Sequence, residues 1–228
     1  MMDIAAQQGY REAGRPEVSK TAKVIAGGSI GEGLAGAAAI VLSILGLVGV
    51  YPDLMAAVAA IAFGVALLVG GGAISSRVRT LMEESTRSNF DMAEVGGGLT
   101  AEFLAGMAGV VLGILALFGI LPQLLLAIAV IVFGGALVVS SSTTQELNYI
   151  AANRYENETA RMVAREAVGA AASLQLLFGI GAIIMGILAL VDQPQAIFTL
   201  IGLLTVGTAG LFSGTAITGR MTSLFRRR

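Results

Sequence analysis

Charged and apolar positions separate along this chain into long blocks. Residues 33–52, 54–76, 103–145, 167–191 and 193–219 carry no charged side chain. A helix needs about 20 apolar residues to cross the hydrocarbon core of a bilayer. The run 103–145 is long enough for two such helices, so the pattern predicts six spans. Prolines mark the reversals, at Val50-Tyr-Pro-Asp53, Ile120-Leu-Pro-Gln123 and Val191-Asp-Gln-Pro-Gln195. Proline has no N–H to donate and disfavours helical backbone at its predecessor, which suits it to the first turn of a returning helix. Each reversal is only a few residues long, so the helices on either side are expected to be antiparallel neighbours. The predicted hairpins run from about Ile30 to Ala73, Thr100 to Val139, and Ala171 to Ile217.

The three hairpins resemble one another. Glu32-Gly-Leu-Ala-Gly36 matches Glu102-Phe-Leu-Ala-Gly106 at an offset of 70, and Phe63-Gly64 matches Phe133-Gly134 at the same offset. Gly113-Ile-Leu-Ala-Leu117 matches Gly186-Ile-Leu-Ala-Leu190 at an offset of 73, and the first copy reads Ser43-Ile-Leu-Gly-Leu47. The expected fold class is therefore an all-α polytopic membrane protein, with six transmembrane helices in three tandem helical-hairpin repeats. Its expected divisions are an N-terminal segment 1–29, hairpin 30–75, linker 76–99, hairpin 100–143, linker 144–170, hairpin 171–217 and basic tail 218–228. A pseudo-threefold arrangement about the membrane normal is one way to pack such repeats.

Charge sets the expected orientation. Arg11, Arg15, Lys20 and Lys23 precede the first hairpin; Arg77, Arg79 and Arg87 follow it. Arg154, Arg161 and Arg165 lie in the second linker, and Arg220 and Arg226 to Arg228 in the tail. All fourteen basic residues thus fit on one side, and basic residues near helix ends stay cytoplasmic. Both termini and both linkers are expected in the cytoplasm, in a cell (inner) membrane. The opposite side carries only Asp53 and Asp192 and has no room for a binding domain. Residues 1–29 hold seven charges and no apolar core, so they do not read as a cleavable signal; the first span is expected to act as an uncleaved anchor. The linkers read as helical. Val78, Leu81, Met82 and Ser85 fall at helical spacing, with Arg79, Glu83, Glu84 and Arg87 between them. Such segments extend the spans, lie at the interface, or dock a partner.

Composition narrows the chemistry. Hydrophobic residues make up 56% of the chain, more apolar surface than one soluble core of this length hides. There is no Cys and no His, which removes thiolate nucleophiles, iron–sulfur ligands, imidazole metal ligands and the usual general base near neutral pH. No basic groove with interleaved aromatics appears, so nucleic acid is not an expected partner. Ser140-Ser-Ser-Thr-Thr144 lacks a neighbouring base, and Gly70-Gly-Gly72 lacks the lysine of a phosphate-binding loop. The sequence therefore predicts a non-enzyme without cofactors. Its expected partners are membrane lipids and either further copies of itself or other membrane-protein subunits.

Two sets of residues stand out. In lipid, helices associate through close van der Waals contact, which small residues permit. Of the 31 glycines, Gly106, Gly109, Gly113, Gly179, Gly186, Gly210 and Gly214 recur at helical spacing and are the expected packing positions. Gly27-Gly28, Gly96-Gly97-Gly98 and Gly169 precede the odd-numbered helices and are expected to bend the chain or permit tight crossings. The second set is Glu32, Glu102 and Gln175, one position in three repeats. Ionisable groups inside a span are costly and often functional. Glu32 lies nineteen residues before Tyr51, about 28 Å at helical rise, which puts it near the cytoplasmic boundary. Three readings stay open: carboxylates facing water, structural pairing with a neighbouring helix or linker Arg, or a ring that binds a cation or proton.

The pattern Gly-Ile-Leu-Ala-Leu, a short gap, Pro, a long apolar helix and further glycines resembles the HdeD-like family of small bacterial membrane proteins. Gly186-Ile-Leu-Ala-Leu190, Pro194, Gly202 and Gly207 carry it in the third hairpin; Gly113-Ile-Leu-Ala-Leu117, Pro122 and Gly134 carry it in the second. The resemblance implies six spanning helices in three repeats, a loosely defined link to acid resistance and no agreed catalytic residues. The long linkers and the N-terminal segment depart from that family. The non-enzymatic reading is a complex-forming membrane protein with a cytoplasmic docking surface. Its rival is a small channel or permease with Glu32, Glu102 and Gln175 at its cytoplasmic mouth.

Overall fold

The computed structural model describes the backbone of residues 15–84, 92–152, 158–191 and 194–225, and the side-chain surroundings of residues 31–69, 100–141, 172–191 and 194–213. The described elements are six helices: α1 (Arg15–Leu47), α2 (Pro52–Glu84), α3 (Met92–Leu117), α4 (Pro122–Ala152), α5 (Glu158–Val191) and α6 (Gln195–Phe225). Residues 1–14, 192–193, the last three residues of the expected tail and the centres of both linkers lie outside the described residues.

Each helix outruns its apolar block. α2 continues through Arg77 and Arg79 to Glu84, and α5 begins at Glu158, well before its apolar run. Arg, Glu, Met and Leu are good helix formers, so the backbone ladder does not stop where the hydrocarbon does. For the same reason α1 runs through Gly27-Gly28 and α3 through Gly96–Gly98 without a break. Five helices are long and apolar enough to span a bilayer: Pro52–Val69, Thr100–Leu117, Pro122–Ser141, Ala172–Val191 and Gln195–Ser213. The described apolar part of α1, Gly31–Leu47, is shorter. The chain is thus an all-α polytopic membrane protein with five to six long apolar helices.

Two reversals share one geometry. At the end of α1, Gly49 N–H donates to the Gly46 carbonyl and Val50 N–H to the Leu45 carbonyl, both at 3.0 Å. At the end of α3, Gly119 N–H donates to Ala116 and Ile120 N–H to Leu115, at 3.0 and 3.1 Å. This paired closure satisfies the last carbonyls of each helix and needs a left-handed residue at its centre. Gly49 and Gly119 supply it, with φ of 94° and 78°. The residues before the prolines, Tyr51 and Leu121, also have positive φ, and their carbonyls accept the first helical bonds of α2 and α4 from Met55 and Leu125. Proline at the next position fixes where the returning helix begins.

The helices close into a ring. Each packs against its two chain neighbours, α1 also packs against α6, and α2, α4 and α6 touch one another across the centre. These three inner helices carry the largest fully buried side chains, including Phe63, Phe133, Leu126, Leu137, Val130, Leu200, Leu203 and Val206. Phe63 and Phe133 meet edge to face with ring centroids 5.3 Å apart, an arrangement that aligns the positive rim of one ring with the negative face of the other. At this level the bundle centre is filled with side chains. Outward positions are large and apolar too: Leu34, Val41, Leu104, Val111, Leu177 and Ile184 are all exposed. In water such a surface would be unstable, and in lipid it is matched to its solvent.

Candidate functional site

The site grows from the joints between successive helix pairs. At the α2–α3 joint, a Cβ added to Gly64 would lie 2.8 Å from the Gly106 carbonyl oxygen, and one added to Gly106 would lie 2.7 Å from the Gly64 carbonyl oxygen. At the α4–α5 joint, Gly134 and Gly179 stand in the same relation, at 2.6 and 2.8 Å. At the α6–α1 joint, Gly207 and Gly36 do so, at 2.9 and 2.5 Å. Gly64, Gly134 and Gly207 are separated by 70 and 73 residues, as are Gly36, Gly106 and Gly179. Only hydrogen fits between these backbones, so glycine sets the distance and the register of each joint.

The other predicted packing glycines fall beside these crossings. Gly109 lies against the Phe133 ring and Gly210 against the Phe63 ring. Gly113 faces Ile61 and the Ala57 carbonyl; Gly186 faces Ile131 and the Ala127 carbonyl. The surroundings of Gly214 lie outside the described residues. Helical spacing alone does not single out Gly36, Gly64, Gly134 and Gly207 as packing positions, although the offsets of 70 and 73 point to them once Gly106 and Gly179 are chosen.

One helical stretch from each crossing, the joints end in polar side chains. At the α6–α1 joint, Ser213 donates its hydroxyl hydrogen to Glu32 Oε1 at 2.6 Å. The Gly210 carbonyl, at 3.4 Å, is the weaker acceptor for that hydrogen, since the closer oxygen wins. At the α4–α5 joint, Gln175 Nε2 donates to Ser140 Oγ at 2.8 Å. Both residues are buried, 6% and 3% exposed, so neither has water as a substitute partner. The α2–α3 joint departs from the other two. The position matching Ser140 and Ser213 by offset is Gly70, which has no hydroxyl to offer Glu102. Glu102 instead takes a hydrogen bond from Ser140.

Ser140 therefore links two joints. It accepts from Gln175, and its single hydrogen serves Glu102 or the Leu137 carbonyl at 3.3 Å. The Glu32 and Glu102 carboxylates also lie near enough for the charge of one to act on the other. The three residues predicted from one repeat position are thus brought to one end of the bundle, half-buried or buried among helices. The described partners are hydroxyls. No Lys or Arg falls among the residues whose side chains are described, so the linker-arginine pairing lies outside them.

Ser140 and Ser213 are interhelical hydrogen-bonding side chains that the sequence does not flag by type. In sequence, Ser140 reads only as a nucleophile without a base, and Ser213 carries no signal of its own. Their spacing of 73 residues, the same as Glu102 to Gln175, is what identifies them.

Among the described residues, no group of three or more His, Cys, Asp or Glu side chains is placed to hold a metal ion. The chemistry available at this end is hydrogen-bond acceptance by two carboxylates, with hydroxyl and amide donors around them. Set against protein-family models, curated proteins and solved structures, the chain matches none.

Proposed function

We propose that this protein is a non-enzymatic, complex-forming component of a cell (inner) membrane, built from three tandem helical-hairpin repeats in a pseudo-threefold ring. Its termini and linkers lie in the cytoplasm and form the docking surface. The observation that carries this reading is the filled centre. Phe63, Phe133, Val206, Leu137 and Leu203 occupy the space where a conduit between the inner helices would run. The polar groups nearest the cytoplasmic end are engaged between helices, where hydrogen bonds of this kind contribute about 0.6 to 2 kcal/mol each. The matching glycine positions at offsets of 70 and 73, with the serine pair at 73, support the repeat. The repeat pattern also agrees with the HdeD-like resemblance, which would bring six spans and a stress-related role.

Gentle detergent extraction, then mass spectrometry of the intact particle, tests the proposal. A fixed stoichiometry, either with itself or with another membrane subunit, is the expected result. A monomer with no partner, together with solute flux in liposomes, overturns it. Tags at both ends reachable only from the cytoplasm are expected for the orientation.

One observation favours a second reading, a small channel or permease with a carboxylate mouth: Glu32 and Glu102 stand at one end of the bundle, each taking a hydrogen bond from a serine on another helix. That reading requires flux in liposomes which disappears when Glu32→Gln and Glu102→Gln are combined.

A further inference from the structure

The three joints share one glycine crossing, yet the α6–α1 joint differs from both others in its connection and in its buried hydroxyls, and from the α4–α5 joint in its fastening. The first is covalent. Residues 85–91 connect α2 to α3 and residues 153–157 connect α4 to α5, whereas α1 and α6 share no linker and are separated along the chain by the four other helices. A pair joined by a short tether is held at high effective concentration and recombines after separating; a pair without one is not.

The second concerns buried hydroxyls. Ser141 donates to the Val138 carbonyl at 2.7 Å, Thr205 to Ile201 at 2.8 Å and Thr208 to Leu204 at 2.7 Å, the usual way a helix satisfies a hydroxyl in lipid. Ser43 and Thr199 are buried and have no hydrogen-bond partner in the protein. One lies on α1 and the other on α6. The positions matching Ser43 by offset are Gly113 and Gly186, whose added Cβ atoms would come within 3.1 and 3.0 Å of a carbonyl on the neighbouring helix. Ser43 therefore places a side chain where the other joints have hydrogen. A buried hydroxyl without a partner disfavours the closed arrangement, and parting the helices relieves it.

The third is the fastening. The α4–α5 joint is held by a neutral amide and hydroxyl that are both buried. The α6–α1 joint is held by a half-buried carboxylate on a hydroxyl within the joint, whereas Glu102 of the α2–α3 joint takes its hydrogen bond from Ser140 on α4.

We propose that the α6–α1 joint is the lateral gate of the ring: α1 parts from α6 there, with the Glu32–Ser213 hydrogen bond as the latch, while the other two joints stay closed. Opening gives the polar end of the bundle a side access between α1 and α6, from the lipid rather than along the central axis. The gate is compatible with either functional reading above, because it concerns where the ring opens and not which molecule enters there.

The absence of native cysteine makes the test direct, since spin labels attach only where cysteines are introduced. Leu34 with Phe212, Leu104 with Val69, and Leu177 with Val139 are exposed pairs on the two helices of each joint, at positions that match by offset. Double electron–electron resonance in bilayers is expected to give one distance population for the α2–α3 and α4–α5 pairs. The α6–α1 pair is expected to show a second population, longer by about 10 Å, roughly one helix–helix spacing. Ser213→Gly, which installs the residue found at the matching position 70, is expected to raise the long population several-fold. Ser43→Gly, the residue at the other two joints, is expected to lower it. A single population at all three joints that neither substitution moves overturns the gate. So does equal broadening at all three. If Ser213→Gly fails to insert, the Ser43→Gly comparison decides alone.

Discussion

The α4–α5 joint and the α6–α1 joint have the same backbone crossing and different side-chain chemistry. In both, paired glycines bring the facing carbonyl oxygen closer than a methyl group at that position would permit. One ends in Gln175 on Ser140, the other in Glu32 on Ser213. The comparison separates two jobs. Glycine fixes how close the helices come and in what register, and this part does not vary between joints. The polar position one stretch away changes from amide to carboxylate while the glycine crossing stays the same, so it is where the joints differ in chemistry.

The sharpest way to break that picture is to fill a crossing. Gly134→Leu and Gly36→Leu each drive a side chain into backbone, and each is expected to destabilise the bundle by about 3 kcal/mol or to prevent folding. Unfolding in bicelles monitored by steric trapping measures it. A large effect at one joint and none at the other would mean that the two crossings are not equivalent.

The polar ends should respond less and unequally. Ser140→Ala leaves both Gln175 and Glu102 short of a partner and is expected to cost about 2 kcal/mol, whereas Ser213→Ala affects Glu32 alone and is expected to cost about 1 kcal/mol. Equal losses in denaturant titration would show that Ser140 does not link two joints. Smaller still, and of opposite sign, are the unpartnered hydroxyls. Ser43→Ala and Thr199→Val are each expected to stabilise by about 1 kcal/mol, seen as a raised melting temperature in detergent. Gly31 has no atom within 4 Å of an added Cβ. Gly31→Ala is thus expected to gain about 0.5 kcal/mol from backbone entropy alone, an internal standard for glycine without a packing role.

Much of the fold is legible in the chain. Blocks without charge locate the spans, and Pro52 and Pro122 locate the reversals, because lipid and proline each impose a rule that tertiary context does not override. The helix ends near the linkers are less legible, since Glu84 and Glu158 belong to helices that outlast the apolar signal. The choice of inner and outer helices is not legible at all. In a soluble bundle polarity distinguishes the faces. Here Ala56, Ala129, Phe63, Phe133 and Leu200 are buried while Leu34, Val111 and Ile184 face outward, so both sides are apolar and neither polarity nor size separates them. At the candidate site, Glu32, Glu102 and Gln175 can be read from the repeat because charge and amide are rare in these stretches. Ser140 and Ser213 cannot be picked out by type, because serine inside a span is common and usually bonds its own helix. Their spacing of 73 residues marks them once the repeat is drawn, and a partner on the next helix sets them apart from other serines.

The closing contact of the ring joins α1 to a helix made much later. During synthesis α1 enters the bilayer long before α6 leaves the ribosome, so Glu32 must wait without the Ser213 hydroxyl that later receives it. Until α6 inserts, the ring has no partner for the α6-facing side of α1, and its Glu32 lacks the hydroxyl that completes the closing joint.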